Sequence, residues 1–144
     1  MKNYHTHTSR CHHAKGTDEE YVAPAISCGC EELGFSDHAP MLCPKSSGYY
    51  SDFRMAPEFA ADYAASIKSL KNKYSAEIDI RLGFELEYYP ALFKDELEFL
   101  KSFDIDYLIL GQHFNLNEYE PAAHYSGHET KSVQVLESYV KQCI

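Results

Sequence analysis

Two histidines one residue apart, His5-Thr6-His7, follow a very short strand-like lead, Met1 to Tyr4. Residues i and i+2 of a strand point to the same face, so both imidazoles can turn toward one cation. More such residues follow. His12 and His13 come soon after the pair, Asp37 and His38 end a second apolar run, Glu85 and Glu87 a third, and His113 a fourth. Imidazole and carboxylate together suit a divalent transition metal: zinc, manganese or iron. A carboxylate such as Glu85 can bridge two ions, and a hydroxide between them is a nucleophile at neutral pH. His5, His7, His13, His38, Glu85 and His113 are the candidate ligands. Asp37 is read as orienting a histidine rather than binding metal, and Glu87 as a carboxylate behind the ligands or on the surface. His12 is read as a neighbour of the true ligand, and His124 and His128 as solvated loop residues.

The elements that must position these groups alternate between strand and helix. Met1 to His5 reads as a strand. Thr17-Asp18-Glu19-Glu20 is a capping box opening a helix to about Cys30, with a kink expected at Pro24. Gly34 is placed to end the turn before a strand at Phe35-Ser36-Asp37. After a loop over residues 39–55, Pro57 starts a helix whose Phe59, Tyr63, Ile67, Leu70 and Tyr74 form one apolar stripe. Ile78 to Phe84 alternates as a third strand, Leu92 to Phe103 forms a third helix, and Ile105 to Leu110 a fourth strand. A second long loop spans Phe114 to Glu129, and Thr130 caps a last helix through Val133, Leu136 and Val140. Four βα units in a row imply an α/β fold with a parallel sheet and right-handed crossovers. In such folds chemistry gathers at the carboxyl ends of the strands, where the histidines and acids lie.

At 144 residues the chain has room for one domain with a real core. The formal net charge of −9 disfavours a nucleic-acid partner. A small phosphate ester stays compatible, because bound cations invert the local field. No apolar run reaches the length of a membrane span and no signal peptide is evident, so a cytoplasmic location is expected. The five cysteines have no framework spacing and are read as reduced, structural thiols. Cys11 and Cys43, each near a histidine, are the positions a thiol-nucleophile reading would need, and nothing in their spacing supplies the activating geometry. Nucleotide-binding glycine motifs are absent.

The runs His5-Thr6-His7-Thr8, Cys11-His12-His13-Ala14, Phe35-Ser36-Asp37-His38-Ala39-Pro40, Leu82-Gly83-Phe84-Glu85-Leu86-Glu87-Tyr88 and Leu110-Gly111-Gln112-His113-Phe114 together resemble the polymerase and histidinol phosphatase (PHP) family, closest to its histidinol-phosphatase branch. The resemblance covers nearly the whole chain. It implies about half of a distorted TIM-like barrel of seven βα units around up to three metal ions. His5, His7 and Glu85 would hold one ion, Glu85 and His113 a second, and His13 and His38 a third. The implied reaction is hydrolysis of a small phosphomonoester, histidinol phosphate giving histidinol. Arg54, in the first long loop, is a candidate phosphate contact by charge and position.

Family barrels are roughly twice this length, as their eight-unit relatives suggest. The later histidine and Asp-x-His of the family have no counterpart here. Residues 1–144 are therefore expected to be the amino-terminal portion of a PHP domain, with an open strand edge that invites pairing with another chain. A PHP-type nuclease or polymerase-associated phosphoesterase, and an inactive metal-binding fragment, are the alternative readings.

Overall fold

The computed structural model describes residues 1–144. Four strands, β1 (Lys2–Asn3), β2 (Glu32–His38), β3 (Asp79–Leu86) and β4 (Tyr107–Leu110), form one parallel sheet in sequence order. Helices α1 (Glu19–Ser27), α2 (Ala60–Lys73), α3 (Phe93–Lys101) and α4 (Val133–Cys143) follow the strands in turn. This is the expected alternation, and it forms a curled half-barrel. No helix is long and apolar enough to cross a membrane.

Several boundaries differ from the sequence pattern. The first strand stops at Asn3, where the His5 amide donates to the Asn3 side chain at 3.0 Å, although the chain still runs beside β2, the Ser36 amide donating to the Thr6 carbonyl at 2.9 Å. Helix α1 ends at Ser27 rather than Cys30, where Gly29 takes a left-handed conformation (φ 72°) and closes it. Only half of the capping box forms. Glu20 accepts from the Thr17 amide at 2.6 Å, while Asp18 leaves the helix end to bind Arg10 in a two-oxygen fork at 2.8 and 2.9 Å. Ser132, not Thr130, caps α4 through the Val135 amide.

Alternation along the strands separates two faces. On β3, Ile80, Leu82 and Phe84 are buried in the core with Tyr63, Ala64, Ile67 and Leu70 of α2. Tyr63 is the pivot of this contact. Its ring packs 5.1 Å from that of Phe84 and its hydroxyl donates to the Gly83 carbonyl at 3.0 Å. Phe59, expected in the same stripe, is 54% exposed, because residues 57–59 form a short 3-10 turn that offsets it from the α-helical face.

The opposite face carries Gly34, Ser36 and His38 on β2 and Gly83, Glu85 and Glu87 along β3 and just past its end. Gly34 lies inside β2 rather than ending the turn before it. A Cβ on Gly34 or Gly83 would collide with the Tyr107 ring. Tyr107 thus lies across two strands from β4 and donates its hydroxyl to the Tyr4 carbonyl at 2.7 Å. One side chain ties the last strand to the segment after the first, which draws the sheet into a curve.

The outer edge is apolar and uncovered. Leu110 on β4 and Val133, Leu136 and Val140 on α4 are all more than half exposed.

Replacing Gly83 with Ala should force the Tyr107 ring out of its trough, at a cost of about 1–3 kcal/mol. Tyr107→Phe, which keeps the ring and loses one hydrogen bond, should cost about 1 kcal/mol. Urea denaturation of both variants checks the order; equal losses would show that the ring is not wedged.

Candidate metal centre

His5 and His7 reach the sheet end from the loop after β1, His38 is the last residue of β2, Glu85 lies in β3, and His113 follows β4. The parallel register sets His38 directly beside Glu85. Four imidazole nitrogens surround the Glu85 carboxylate: His5 Nε2 at 3.0 Å, His38 Nδ1 at 3.3 Å, His7 Nε2 at 3.4 Å and His113 Nε2 at 3.6 Å. His5 and His7 also face one another at 3.1 Å between their Nε2 atoms. Ligand atoms at about 2.0–2.1 Å from one tetrahedral ion stand about 3.3 Å apart, so these separations suit shared cations.

Three groups bring ligand atoms close enough for one ion: His5, His7 and Glu85; His38, Glu85 and His113; and His7, Cys11 and Asp37. Glu85 belongs to two of them, as a bridging carboxylate would. His13 stands at the rim, its ring 4.9 Å from that of His38 and 5.6 Å from that of His7. The structure therefore puts His38 with Glu85 and His113, and joins His13 to it by ring contact only. Asp37 is fully buried below His7, with Oδ1 3.8 Å from Nδ1, and accepts from the Thr8 amide, the Thr8 hydroxyl and the Cys11 thiol. Burial pushes the Cys11 thiol up to about 12, so it remains protonated and donates. His12, in a left-handed turn at φ 64°, is exposed.

Two carboxylates on the same strand face have opposite surroundings. Glu87, 1% exposed, is ringed by donors: the His113 amide at 3.0 Å, the Phe114 amide at 3.3 Å, His113 Nδ1 at 3.1 Å, the Tyr89 hydroxyl and the Arg54 guanidinium. Burial alone would raise its pKa, but His113, Arg54 and Tyr89 outweigh it and hold the carboxyl below its usual range. Glu85, 3% exposed, receives one side-chain hydrogen bond, from His5. A buried carboxylate with so few donors is expensive without a cation. His38 Nδ1 adds a second sign. It is buried, faces Glu85 and makes no hydrogen bond. Burial, with Arg54 and three other histidines nearby, pushes the His38 pKa down to about 2, leaving the ring neutral and its lone pair free. The donor set and the two under-satisfied groups fit divalent metal.

Arg54 corrects the sequence reading. It was expected to meet phosphate from the first loop, but it is 3% exposed and bound on both sides, to Glu87 and, through Nε at 2.8 Å, to Glu118. Tyr49 completes the chain by donating to Glu118 at 2.7 Å. The guanidinium fork thus joins both long loops to Glu87, and through it to His113. Sequence reasoning missed Glu118, Tyr89 and Tyr49, because a lone acid or tyrosine in a loop carries no periodic signal. His128 is exposed, as read, and stands at the mouth of the cavity over the centre, which Phe53, Phe114 and Tyr125 also line.

A family model for the PHP domain matches residues 3–144. The chain belongs to the PHP domain family. It is 36% identical over 110 residues to a protein of Deinococcus radiodurans assigned as a histidinol-phosphatase, covering 76% of this chain and 41% of that one. It is 34% identical over 116 residues to the histidinol-phosphatase of Bacillus subtilis, covering 76% and 42%. Among solved structures, HisK of Listeria monocytogenes, assigned as a histidinol phosphatase, superposes with a TM-score of 0.68 at 27% identity, over 79% of this chain and 45% of that one. The chain thus spans about two fifths of the length of the curated relatives it matches.

Two outcomes test this PHP site. A Cβ at Gly111 would overlap the Glu85 carboxylate. Gly111→Ala should therefore weaken zinc or manganese binding by about 10-fold or more, with an unchanged circular dichroism spectrum, as calorimetry can show. For Glu87, a depressed folded pKa means stabilisation that is complete above the unfolded value of about 4.3 and is lost as pH falls through the folded value. Glu87→Gln should cost on the order of 3 kcal/mol at neutral pH, and its stability should change less than that of the parent as pH falls from about 5 to 3. Parallel acid titrations of the two proteins would refute this assignment.

Proposed function

We propose that this PHP chain carries the metal-binding part of a phosphomonoester hydrolase acting on histidinol phosphate. The observation that carries the proposal is the buried, donor-poor Glu85 carboxylate within 3.6 Å of four imidazole nitrogens at the strand ends. Its relatives named as histidinol-phosphatases supply the substrate. His5, His7 and Glu85 would hold one divalent ion, and His38, Glu85 and His113 another, with zinc, manganese or iron as the ions that this donor set suits. Bound there, such ions supply phosphate charge neutralisation and a nucleophile available at neutral pH.

The chain's own groups do the positioning. Glu87 keeps the proton of His113 on Nδ1, so Nε2 presents its lone pair toward Glu85. Asp37, held by Thr8 and Cys11, faces His7 Nδ1 and leaves His7 Nε2 toward the cavity. Arg54 and Glu118 hold the two long loops together, so the cavity wall is fixed before substrate arrives. The net charge of −9 argues against a nucleic-acid substrate, and hence against the nuclease reading.

Because the chain spans two fifths of its relatives, metal binding and turnover are separate tests. Metal analysis should find bound transition metal that is lost in His7→Ala and Glu85→Ala. Phosphate release from histidinol phosphate should require added metal, stop with a chelator, and fall by about 100-fold in either variant. Metal binding without hydrolysis of any phosphomonoester would leave a metal-binding fragment and refute the enzymatic proposal for this chain.

A further inference from the structure

We propose that Cys11 is a positioning residue for the metal centre: its thiol, set between Asp37 and His7, fixes the tautomer in which His7 offers Nε2 to a cation. This rests on the metal-binding reading of the site and goes beyond it, because Cys11 is not among the ligands of either ion. The geometry orders the three groups. Cys11 Sγ lies 3.5 Å from His7 Nδ1, within reach of a hydrogen bond to sulfur, whereas Asp37 Oδ1 is 3.8 Å from that nitrogen. Sγ in turn lies 3.2 Å from Asp37 Oδ1. The carboxylate therefore meets His7 through the thiol and not directly.

The sequence builds this placement. After His7 the chain makes one 3-10 turn, Ser9–Cys11, which the Thr8 side chain caps by accepting from the Arg10 amide at 3.3 Å. Arg10 leaves the turn on its outer side. There its guanidinium holds Asp18, at the start of α1, at 2.8 and 2.9 Å and Asp62 of α2 at 2.8 Å. The turn is thus pinned to two helices. Cys11 faces inward from it and is fully buried, as are Thr8 and Asp37. Thr8 also donates its amide and its hydroxyl to the two Asp37 oxygens, which keeps the carboxylate still.

A thiol carries one proton to donate and lone pairs that accept. Three acceptors compete for that proton: Asp37 Oδ1 at 3.2 Å, the Thr8 carbonyl at 3.4 Å and His7 Nδ1 at 3.5 Å. The carboxylate is both nearest and charged, so it takes the proton. Sulfur is then left as an acceptor toward His7, and the imidazole proton belongs on Nδ1. In a neutral imidazole the hydrogen bond made by one nitrogen decides what the other can do. Here the freed atom is Nε2, which stands 3.1 Å from His5 Nε2 and 3.4 Å from Glu85. His7, Cys11 and Asp37 thus form a chain of hydrogen bonds that ends at the metal side of His7.

Two readouts test this. The first is long-range proton–nitrogen NMR of the histidine rings in the chelator-treated chain at about pH 8, where imidazoles are neutral. His7, assigned by its loss in His7→Ala, should carry its proton on Nδ1 in the parent and show a mixture of tautomers in Cys11→Ala. The second is zinc binding by calorimetry. Affinity should fall about 10-fold in Cys11→Ala and stay within about 3-fold of the parent in Cys11→Ser, whose hydroxyl also donates and accepts. A proton on Nε2 of His7 in the parent would overturn the proposal. So would a Cys11→Ala variant that keeps both its circular dichroism spectrum and its zinc affinity, the result expected if Asp37 bonded His7 directly. If Cys11→Ala does not fold, the tautomer of the parent decides. If the parent binds no zinc, the metal-binding reading fails, and the tautomer comparison still decides whether the thiol orients His7.

Discussion

The carboxylate of Glu85 sits almost wholly out of water, with four imidazoles around it and a single side-chain hydrogen bond. Glu87, two residues on and on the same face, is equally buried but saturated with donors. The difference between them divides the site into a part the protein completes and a part it leaves for a cation. Removing charge from water is tolerable for Glu87 because Arg54 and two amides replace the solvent. For Glu85 the replacement has to come from positive charge at the neighbouring nitrogens. The convergence of the histidines, the neutral His38 and the glycine at 111 all serve that one requirement.

Keeping Glu85 in place is a task for the whole curved face. Gly34 and Gly83 leave room for Tyr107, and Tyr107 reaches back to Tyr4, next to the first ligand. On this face Gly34 and Ser36 lead to His38 along β2, and Gly83 leads to Glu85 along β3. On the reverse side, α2 presses its apolar stripe onto Phe35, Ile80, Leu82 and Phe84, so the strands cannot slide without exposing the core. Site geometry and core packing are thus two faces of the same strands.

Much of this was legible in the sequence. The alternation of strand and helix, the strand-end placement of His5, His7, His38, Glu85 and His113, and the α2 stripe through Tyr63, Ile67 and Leu70 follow from period and residue type. The resemblance to PHP proteins rested on motifs around those same residues, and the family match extends over residues 3–144. What stayed hidden depended on contacts between loops. Arg54 looked like a phosphate contact because charge is visible in a sequence and its burial partners are not; Glu118 lies 64 residues away. The aromatic side of the cavity was hidden because the bridge that forms it is one residue pair, Phe114 and Tyr125, with no strand pattern around it. Thr130 was outcompeted as a cap by Ser132, two residues on, a choice local sequence preferences do not resolve.

The strands are neighbours in space in the order in which they are neighbours in sequence. During synthesis, each βα unit could therefore dock on its predecessor as it emerges, without waiting for a distant segment. His5 and His7 would come first and His38 would join when β2 pairs, but these three bring no carboxylate near the cluster except Asp37, which is already engaged by Thr8 and Cys11. The acid that draws the cluster together arrives only with β3. A nascent chain would hold cations loosely until about 60% of these residues had been made, and then grip them abruptly, so that capture of an ion becomes a late, cooperative event in the life of the molecule.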